Sequence, residues 1–486
     1  MGGSRVGPFV TPRVPSDPTG ASRRVARLLR PLLSLRPSQL PSTTVRKARI
    51  CLLDALGNMI AAATFPEADL VRRAEGGSPR GNATTFGWRR RTSPLLAAFQ
   101  NAVHLDLLES QDGHRRAGLH PCEGTIPAAL AVAESQGGTL GELLVAIVAG
   151  YEVTVRFGET LFPEQTRAGF YPDGTCGPLG GAMAASRLLG SDRPTVERAV
   201  SAAAFAAPIS LVQTMRSPAK SLLAGMSAEL GLRSAYWARE GLGGGPGSFE
   251  MPYGFFESLS SRPHLARLDR AVGSAWAIDA VYLKPYPGGR HAHAPLDAAR
   301  QILEARPTDP GTIRSVEVRT YRAALALTGS MPQEESPLAE LTQSTRYVIA
   351  AGICDGTLGP ERFEPVRRYD PRVLDLARRV RLEEDPRATR RYPGTTTATV
   401  TIRFRDGRTG RAAIHHRWGD PERPMTTEEI RTKFVRSLGG RPSATHAWET
   451  WWSARAGADV AELVAEFSEA IGPIDVQSAG GSGRRR

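Results

Sequence analysis

Cysteine is scarce in this chain, with four residues among 486. The four lie far apart and form no Cys-x-x-Cys pair; they are Cys51, Cys122, Cys176 and Cys354. A disulfide scaffold, a structural zinc site and a redox dithiol are therefore disfavoured. Long apolar runs are also missing, since no stretch reaches the 18 residues or so of a membrane-spanning helix. The sequence predicts a globular protein that does not enter a membrane.

Targeting and metal-binding signatures are absent as well. The first 20 residues lack the apolar core of a secretory signal, so the sequence predicts a cytoplasmic protein. Its nine histidines include no His-x-x-x-His or His-Glu-x-x-His spacing, which disfavours a metal site. No internal repeat of about 20–50 residues is evident.

Lysine is the scarcest charged residue, although the net charge is +13. Of 62 basic residues, 58 are arginine, a bias that a GC-rich genome produces. The arginines are scattered, and the longest runs, Arg89–Arg91 and Arg484–Arg486, have only Trp88 as an aromatic neighbour. A nucleic-acid surface would show a basic stripe with interleaved aromatics. The charge therefore favours small polyanions such as carboxylates over nucleic acid.

Composition and periodicity divide the chain into a large helical part and a smaller α+β part. Residues 1–20 and 476–486 are rich in Gly, Ser and Pro or Arg, and we expect a disordered start and a flexible tail. The predicted helical domain is built from both chain ends, 21–277 and 423–475. The predicted α+β domain, 278–422, is inserted between them. The predicted fold class is thus mainly α with α+β.

Individual elements follow from the spacing of apolar residues. Helices are predicted over 45–63, 93–109, 292–305, 338–355, 371–380, 426–438 and 457–471. Period-two alternation predicts strands over 315–321 and 397–407. Thr426 with Glu429, and Asp459, are predicted to cap the last two helices.

Carboxylates and imidazoles are concentrated in the stretch 104–121, directly after a predicted helix. They are Asp106, Glu109, Asp112, His114 and His120. Such a set suits proton transfer or a metal ion. The alternative without function is a polar helix end followed by a solvated loop.

Two further stretches carry lysines in unusual surroundings. The stretch 213–225 holds Arg216 and Lys220, and the stretch 282–295 holds Lys284, Arg290, His291 and His293. Binding of a carboxylate by Lys284, Arg290 and one histidine is favoured over metal binding, because the His-x-His pair has no nearby cysteine or carboxylate. A structural role for each residue is the alternative.

A glycine-rich stretch, 169–181, leads into an alanine-rich helix and contains Thr175. A glycine-rich helix start offers free N–H groups to an anion. Close packing between helices explains the glycines equally well.

Several of these stretches, in this order, resemble the MmgE/PrpD family. They are CLLDALGNMIAAA, NAVHLDLLESQDGHRRAGLHP, GFYPDGTCGPLGGAMAASRLLG, AKSLLAG and KPYPGGRHAHAPLDAA, and the likeness runs from about residue 40 to 470. The family includes 2-methylcitrate dehydratase, cis-aconitate decarboxylase and an iminodisuccinate epimerase. The resemblance implies a helical domain with an α+β lid, a homodimer, a di- or tricarboxylate substrate, and no metal or other cofactor.

The resemblance also implies site residues. The predicted catalytic residues are Asp112, His120, Lys220, Tyr321 and Tyr171. The predicted substrate-binding residues are Lys284, Arg290, His291, Glu109 and Thr175, with Asp106 as the alternative to Glu109. A proton next to a carboxylate is barely acidic, so cations must stabilise the developing enolate while His120 or Asp112 takes the proton. Replacing Lys284 by alanine is expected to abolish binding and leave the fold intact.

The chain departs from the family pattern at several of these motifs. Tyr171, Leu223, Gly113 and Gly288-Gly289 stand where the family commonly has His, His, Thr and Cys-Cys. The favoured function is a hydro-lyase that dehydrates a hydroxy polycarboxylate. An epimerase or isomerase, a decarboxylase, and a pocket-retaining scaffold without turnover are the alternatives.

Overall fold

The first half of the chain folds into helices, as the spacing of its apolar side chains predicts. The computed structural model describes residues 20–75, 80–88, 90–207, 215–249, 253–305 and 307–472. The helices of this half are α1 (Ala21–Leu33), α2 (Ser42–Ala63), α3 (Pro66–Ala74), α4 (Pro94–Leu107), α5 (Pro121–Gln136), α6 (Leu140–Leu161), α7 (Glu164–Arg167), α8 (Pro172–Leu188), α9 (Arg193–Phe205), α10 (Lys220–Arg239) and α11 (Phe255–Leu259). The termini predicted to be disordered or flexible, 1–20 and 476–486, lie outside the described residues except for Gly20.

The second half carries the main sheet and returns to helix at its end. Its helices are α12 (His293–Ala305), α13 (Arg322–Thr328), α14 (Leu338–Gln343), α15 (Thr345–Asp355), α16 (Pro371–Arg378), α17 (Pro386–Arg391), α18 (Thr427–Ser437), α19 (Pro442–Ser453) and α20 (Val460–Ile471). Two short strands of the first half, β1 (Ala83–Thr85) and β2 (Arg90–Thr92), pair antiparallel. The main strands are β3 (Ile313–Thr320), β4 (Val380–Glu384), β5 (Ala398–Phe404) and β6 (Thr409–Ile414).

The main sheet has the strand order β4-β3-β5-β6. Strands β3 and β4 run parallel, with Val316 opposite Val380, and the other two pairs are antiparallel. Alternate residues of β3 and β5 are buried, which is the period-two pattern that the sequence shows.

The two largest hydrophobic cores among the described residues meet near the end of α4. The first combines α1, α2, α5, α6, α8 and α9 with the C-terminal helices α18, α19 and α20. The second packs α12, α15 and α16 on the main sheet and takes in Phe65, Leu107 and Leu108 from the first half. Both chain ends therefore share one core. The predicted mainly α class with some β structure is confirmed. The division into a helical domain with an inserted α+β domain, and the boundaries 21–277, 278–422 and 423–475, stay predictions.

Glycines bring α8 into direct contact with its neighbours. Gly181 faces the carbonyl of Gly124 on α5 and the backbone of Gly231 on α10, and Gly180 faces Thr154 on α6. A Cβ at position 180 or 181 would collide with these groups. Close helix packing therefore accounts for these two glycines of the stretch 169–181.

Several elements differ from the sequence-based expectation. The predicted helix 371–380 stops at Arg378, because Val380 begins a strand that pairs with β3. The predicted helix 338–355 is two helices, since the Ser344 hydroxyl caps α15 by accepting from the amide of Tyr347 at 3.2 Å. Strands β1, β2, β4 and β6 and helix α19 were not predicted. The caps at Thr426 and Asp459 are confirmed.

Within the described residues, no single helix has both the length and the apolar character to cross a membrane. Helices α2 and α3 together satisfy that criterion by length and composition, but they meet at a bend of 85°.

The C-terminal helices should be indispensable to the first core. Trp451 on α19 is fully buried, so Trp451→Ala is expected to lower the free energy of unfolding by about 3–5 kcal/mol. Trp237 on α10 is 37% exposed, and Trp237→Ala serves as the matched control with a loss of at most about 1 kcal/mol. Urea unfolding measures both; equal losses would contradict the shared core.

Candidate functional site

A cavity lies between the loop after α4, the start of α8, the junction before α12 and the sheet-bearing part of the chain. Its volume, measured to the centres of the water molecules that would fill it, is about 110 Å³. Its polar wall consists of Glu109, His114, Arg115, His120, Thr166, Tyr171, Tyr282, Arg290, His291, Tyr321, Gln343, Tyr392, Thr396 and Arg417. Both the helical part and the α+β part contribute to this wall, so the cavity forms only when they are assembled.

The structure brings together six of the ten residues that the sequence predicts for the site. Those on the cavity wall are Glu109, His120, Tyr171, Arg290, His291 and Tyr321. The other four, Asp112, Thr175, Lys220 and Lys284, are buried behind it. The catalytic and binding roles assigned to all ten remain predictions.

Glu109 is the centre of a buried ionic network. Its backbone is in the left-handed region (φ 53°), which is unusual for a residue other than glycine. Its carboxylate accepts from Lys284 Nζ at 2.8 Å, from Gln343 Nε2 at 2.6 Å and from Lys220 Nζ. Lys284 Nζ also donates to the Glu109 carbonyl at 2.9 Å, which fixes the turn itself.

The network keeps Glu109 ionised although it is buried. Burial alone would raise the pKa of Glu109, but the ammonium groups of Lys220 and Lys284 outweigh it and hold the pKa well below its usual range. Burial would likewise lower the pKa of Lys220, but Asp106 and Glu109 outweigh it and raise that pKa well above normal. Both lysine charges are therefore compensated inside the protein.

Asp106 lies one layer deeper than Glu109. Its Oδ1 accepts from Lys220 Nζ and from Gln111 Nε2, the latter at 2.8 Å. The same Gln111 amide donates to Glu123 at 2.8 Å. Of the two alternatives for the predicted acidic position, Glu109 faces the cavity, and Asp106 serves the network behind it.

His120 presents a neutral imidazole to the cavity. The pKa of His120 is lowered to about 3, and burial is the main cause. The ammonium groups of Lys284 and Lys220 also lower it, and Glu109 opposes them only in part. Its Nδ1 lies 2.6 Å from the carbonyl of Asp112, and because a carbonyl only accepts, Nδ1 carries the proton. The lone pair is then on Nε2, which has no hydrogen-bond partner among the described residues. A neutral ring with a free Nε2 has the protonation state of a base.

Asp112 does not face the cavity. Its Oδ2 accepts from the hydroxyl of Tyr151 at 2.6 Å, and its side chain is 1% exposed. Burial raises its pKa to about 6, more than the Tyr151 hydrogen bond lowers it. Its backbone carbonyl orients His120, so the structure favours His120 over Asp112 as the base.

Thr175 is also placed away from the cavity wall. Its hydroxyl donates to the side chain of Gln165 at 2.8 Å inside the helical core. The Thr175 side chain therefore does not line the cavity, where the predicted substrate-binding role would require it to lie.

Arg290 and Arg417 give the cavity its positive charge. Both guanidiniums bind Asp420, Arg290 at 2.7 Å and Arg417 at 3.3 Å, so one carboxylate is shared by two cations. Both also lie over the ring of Tyr282, at 4.7 Å and 5.5 Å from its centroid. Despite burial, Asp420 raises the pKa of Arg417, and Arg417 lowers the pKa of Asp420. Both groups therefore stay ionised.

Tyr321 supplies a buried hydroxyl on the opposite element. It lies one residue past β3, stacks on Tyr392 at 4.4 Å and shares a 2.6 Å hydrogen bond with His291 Nδ1. Burial lowers the pKa of His291 to about 3 and raises the pKa of Tyr321 well above its usual range. The pair is therefore neutral, and the phenol keeps its proton.

Sequence reasoning missed Arg417, Asp420, Tyr282 and Gln343. Arginine is so common in this chain that one more arginine gives no signal, and nothing local distinguishes Tyr282 or Gln343. The Gly-Asp-Pro turn at 419–421 was the available hint, because Asp420 follows a left-handed glycine that brings it back under Arg417. Within the described ranges, no three His, Cys, Asp or Glu side chains are grouped as a metal ion requires.

The cavity thus combines fixed positive charge with a neutral imidazole. The chain belongs to the MmgE/PrpD family. The family's N-terminal domain matches residues 27–268 and its C-terminal domain matches residues 286–450.

Individual relatives are similar at modest identity. A cis-aconitate decarboxylase-like protein, oryM, of Aspergillus oryzae is 25% identical, covering 93% of this chain and 99% of the relative. A cis-aconitate decarboxylase of Aspergillus terreus is 24% identical over 84% of this chain and 87% of its own length. A 2-methylcitrate dehydratase of Cupriavidus necator is 26% identical over 45% of this chain and 47% of its own length. The chain is an enzyme, and the reactions named for these relatives are lyase reactions on tricarboxylates.

The buried position of Lys284 changes the expectation for its removal. Lys284→Met leaves the Glu109 carboxylate short of a counter-charge, so the free energy of unfolding should fall by about 3–5 kcal/mol rather than leave the fold intact. Adding Glu109→Gln should restore most of that loss. Arg193→Met breaks the exposed pair with Glu197 and should cost under about 1 kcal/mol. Urea unfolding at pH 7 measures these three variants and the wild type; a loss in Lys284→Met no larger than in Arg193→Met would contradict the network.

Asp112 should make stability depend on pH. Because its folded pKa is raised to about 6, its contribution is full below pH 4 and is lost as the pH rises through 6. Relative to Asp112→Asn, the wild type should lose about 2–3 kcal/mol of unfolding free energy between pH 4 and pH 7. The exposed Asp375→Asn is the control and should follow the wild type. Urea unfolding across this range measures the difference; parallel curves would show that Asp112 titrates normally.

Proposed function

We propose that this protein is a cofactor-independent lyase that removes water from a hydroxy tricarboxylate. The observation that carries the proposal is the neutral His120, with its proton fixed on Nδ1 by the Asp112 carbonyl and its Nε2 free at a cavity lined by three arginines, Arg115, Arg290 and Arg417. A base of this kind takes a proton from carbon, and fixed cations stabilise the charge that develops on the neighbouring carboxylate.

Groups on the cavity wall provide both the base and the acid that the elimination requires. His120 Nε2 takes the proton next to a carboxylate, and the electrons of that C–H bond form the C=C bond. The C–O bond of the neighbouring hydroxyl breaks, and the Tyr321 phenol supplies the proton with which water leaves. The hydrogen bond with His291 orients the phenol. The proton that His120 gained leaves to solvent, and solvent returns a proton to the Tyr321 phenolate. Arg290 and Arg417 bind the substrate carboxylates as charge-assisted hydrogen-bond donors.

Decarboxylation is the second candidate, because the relatives that cover most of this chain include proteins named cis-aconitate decarboxylase. In that reaction a C–C bond breaks, CO2 leaves, and the carbanion must be protonated. His120 lacks a proton on Nε2, so a phenol, Tyr171 or Tyr321, would have to act as the donor. The protonation state of His120 therefore favours a first step in which a proton is removed.

We also propose that the protein forms a homodimer and acts in the cytoplasm. Family resemblance supports the homodimer, and the four free cysteines among the described residues suit the reducing environment of the cytoplasm. Light scattering after gel filtration measures the first, and fractionation of cells that express the tagged chain measures the second.

Proton NMR of the protein in D2O tests the reaction with 2-methylcitrate, citrate and cis-aconitate. The expected result is loss of the carbon-bound proton and the hydroxyl, with an alkene product. Release of CO2 with one deuterium in the product would establish decarboxylation instead. Exchange without a new skeleton would indicate an epimerase, and no change in any compound would contradict the proposal and favour a binding scaffold.

His120→Asn should abolish turnover and keep binding. Asparagine can still donate to the Asp112 carbonyl, but it has no basic nitrogen, so kcat should fall by about 10²–10⁴-fold with the dissociation constant for a tricarboxylate nearly unchanged. The control is His446→Asn, whose side chain is 64% exposed, and it should keep wild-type kcat. A His120→Asn variant with more than about a tenth of wild-type kcat would exclude His120 as the base.

A further inference from the structure

The four lysines of this chain are not scattered as its arginines are. They are Lys47, Lys220, Lys284 and Lys433, against 58 arginines. Each ammonium group binds the segment Asp106–Gly113 or the segment Val281–Lys284 that pairs with it. The pairing is direct, because Gly113 and Tyr282 exchange both backbone hydrogen bonds, at 3.2 Å and 2.9 Å. The lysines are thus concentrated around these two segments, which we call the cavity floor.

Two of these lysines were already part of the site, and the other two approach from behind. Lys220 and Lys284 bind the carboxylates of Asp106 and Glu109. Lys47 on α2 donates to the carbonyl of Val281 at 2.8 Å. Lys433 on α18 donates to the carbonyl of Ser110 at 2.8 Å and to Asp54 Oδ1 at 2.6 Å.

The geometry explains why these positions are lysine. An ammonium places three diverging donors on one atom, whereas a guanidinium spreads its donors along a planar fork. Lys284 Nζ uses this arrangement fully: it has three acceptors, the Glu109 carbonyl, Glu109 Oε2 and Gln111 Oε1, at 2.9, 2.8 and 3.4 Å. Elsewhere in the chain arginine meets the need for positive charge, so a lysine marks a place where the compact donor is required.

Lys433 binds the part of the cavity floor that directly follows a residue in the left-handed backbone region. Ser110 follows Glu109, whose φ of 53° is in the left-handed region. Lys284 binds the carbonyl of Glu109 and Lys433 binds the carbonyl of Ser110, so two lysines from distant elements fix consecutive carbonyls. The Asn58 amide also donates to the Ser110 carbonyl, at 3.1 Å. The Lys433 side chain is 10% exposed, so water competes weakly for these bonds.

We propose that Lys433 is a positioning residue for the base His120, an inference that rests on the proposed function. The connection runs through the backbone, because the carbonyl that fixes the His120 tautomer belongs to Asp112, two residues after Ser110. A displaced Ser110 carbonyl moves this acceptor and the Glu109 carboxylate together. The C-terminal helix α18 thereby contributes to the reaction without touching substrate. A displacement of about 1 Å in a reacting group can cost about 10²-fold in rate.

The test separates this role from simple neutralisation of Asp54. Lys433→Met strands the buried Asp54 carboxylate and should lower the urea midpoint, whereas Lys433→Met/Asp54→Asn removes both charges and should restore it. In the double variant kcat should remain about 10- to 100-fold below wild type, with KM changed by less than about threefold. Lys433→Arg, which keeps the charge, should also lose kcat. Arg431→Lys on the same helix is the matched control, because it pairs with surface carboxylates and should keep wild-type kcat.

A second measurement needs no turnover. Amide hydrogen exchange of peptides covering 106–113 should be faster in the double variant than in wild type, and exchange in the distant strand pair β3/β5 should be unchanged. If the double variant recovers kcat together with its urea midpoint, Lys433 only neutralises Asp54 and the proposal is wrong. If the wild type converts no tricarboxylate, the proposed function fails separately, and unchanged exchange at 106–113 would then overturn the positioning role on its own.

Discussion

The buried carboxylate of Glu109 is the constraint on which the rest of the site depends. An ionised carboxylate removed from water costs several kcal/mol unless counter-charges and hydrogen bonds replace the lost hydration. The replacements come from Lys220 at the start of α10, Lys284 before α12 and Gln343 at the end of α14. These elements are far apart in sequence and belong to both parts of the fold. The cavity wall therefore becomes stable only when the helical part and the α+β part have assembled.

This pairing divides the cations into two groups with different tasks. Lys220, Lys284 and Lys433 pair with carboxylates inside the protein and bind the Asp106–Gly113 segment, whereas Lys47 binds the Val281 carbonyl. Arg290 and Arg417 share the single carboxylate of Asp420, so the wall that they form keeps an excess of positive charge. A polyanionic substrate meets planar donors that are already oriented, which suits recognition of carboxylates. Lys220, predicted to be catalytic, and Lys284, predicted to bind substrate, thus lie behind this wall and support it.

The sequence predicts the fold better than it predicts the details of the site. Long helices such as α2 and α4, and the strands β3 and β5, have clear periodicity because one face of each is buried. Strand β4 was missed, since its five residues follow α16 directly and only pairing with β3 makes them extended. Strand β6 alternates exposed with half-buried positions and lies at the sheet edge, so it carries little hydrophobic signal.

The same contrast applies to the site residues. The rarity of lysine made Lys220 and Lys284 visible, whereas the abundance of arginine concealed Arg417. Tyr282 contacts Arg417 and Gln343 contacts Glu109, partners that are distant in sequence, and no local pattern encodes such a contact. Whether a predicted residue faces the cavity, as Glu109 does, or lies behind it, as Lys284 does, is decided by tertiary packing.

The departures from the family pattern bear on which reaction follows proton removal. A Cβ at Gly113 would collide with the Tyr282 hydroxyl and His120 Nδ1. Glycine at this position therefore leaves room for the backbone pairing of Gly113 with Tyr282 and for the His120 ring. Tyr171, where the family commonly has histidine, has its pKa raised well above normal by burial, and its ring lies 5.9 Å from Lys220 Nζ. A phenol in that state donates a proton but does not remove one. The α8 side of the cavity therefore offers a phenol donor beside His120, the base that we propose. This arrangement fits elimination and fits decarboxylation, but not an epimerisation that needs a second base at position 171.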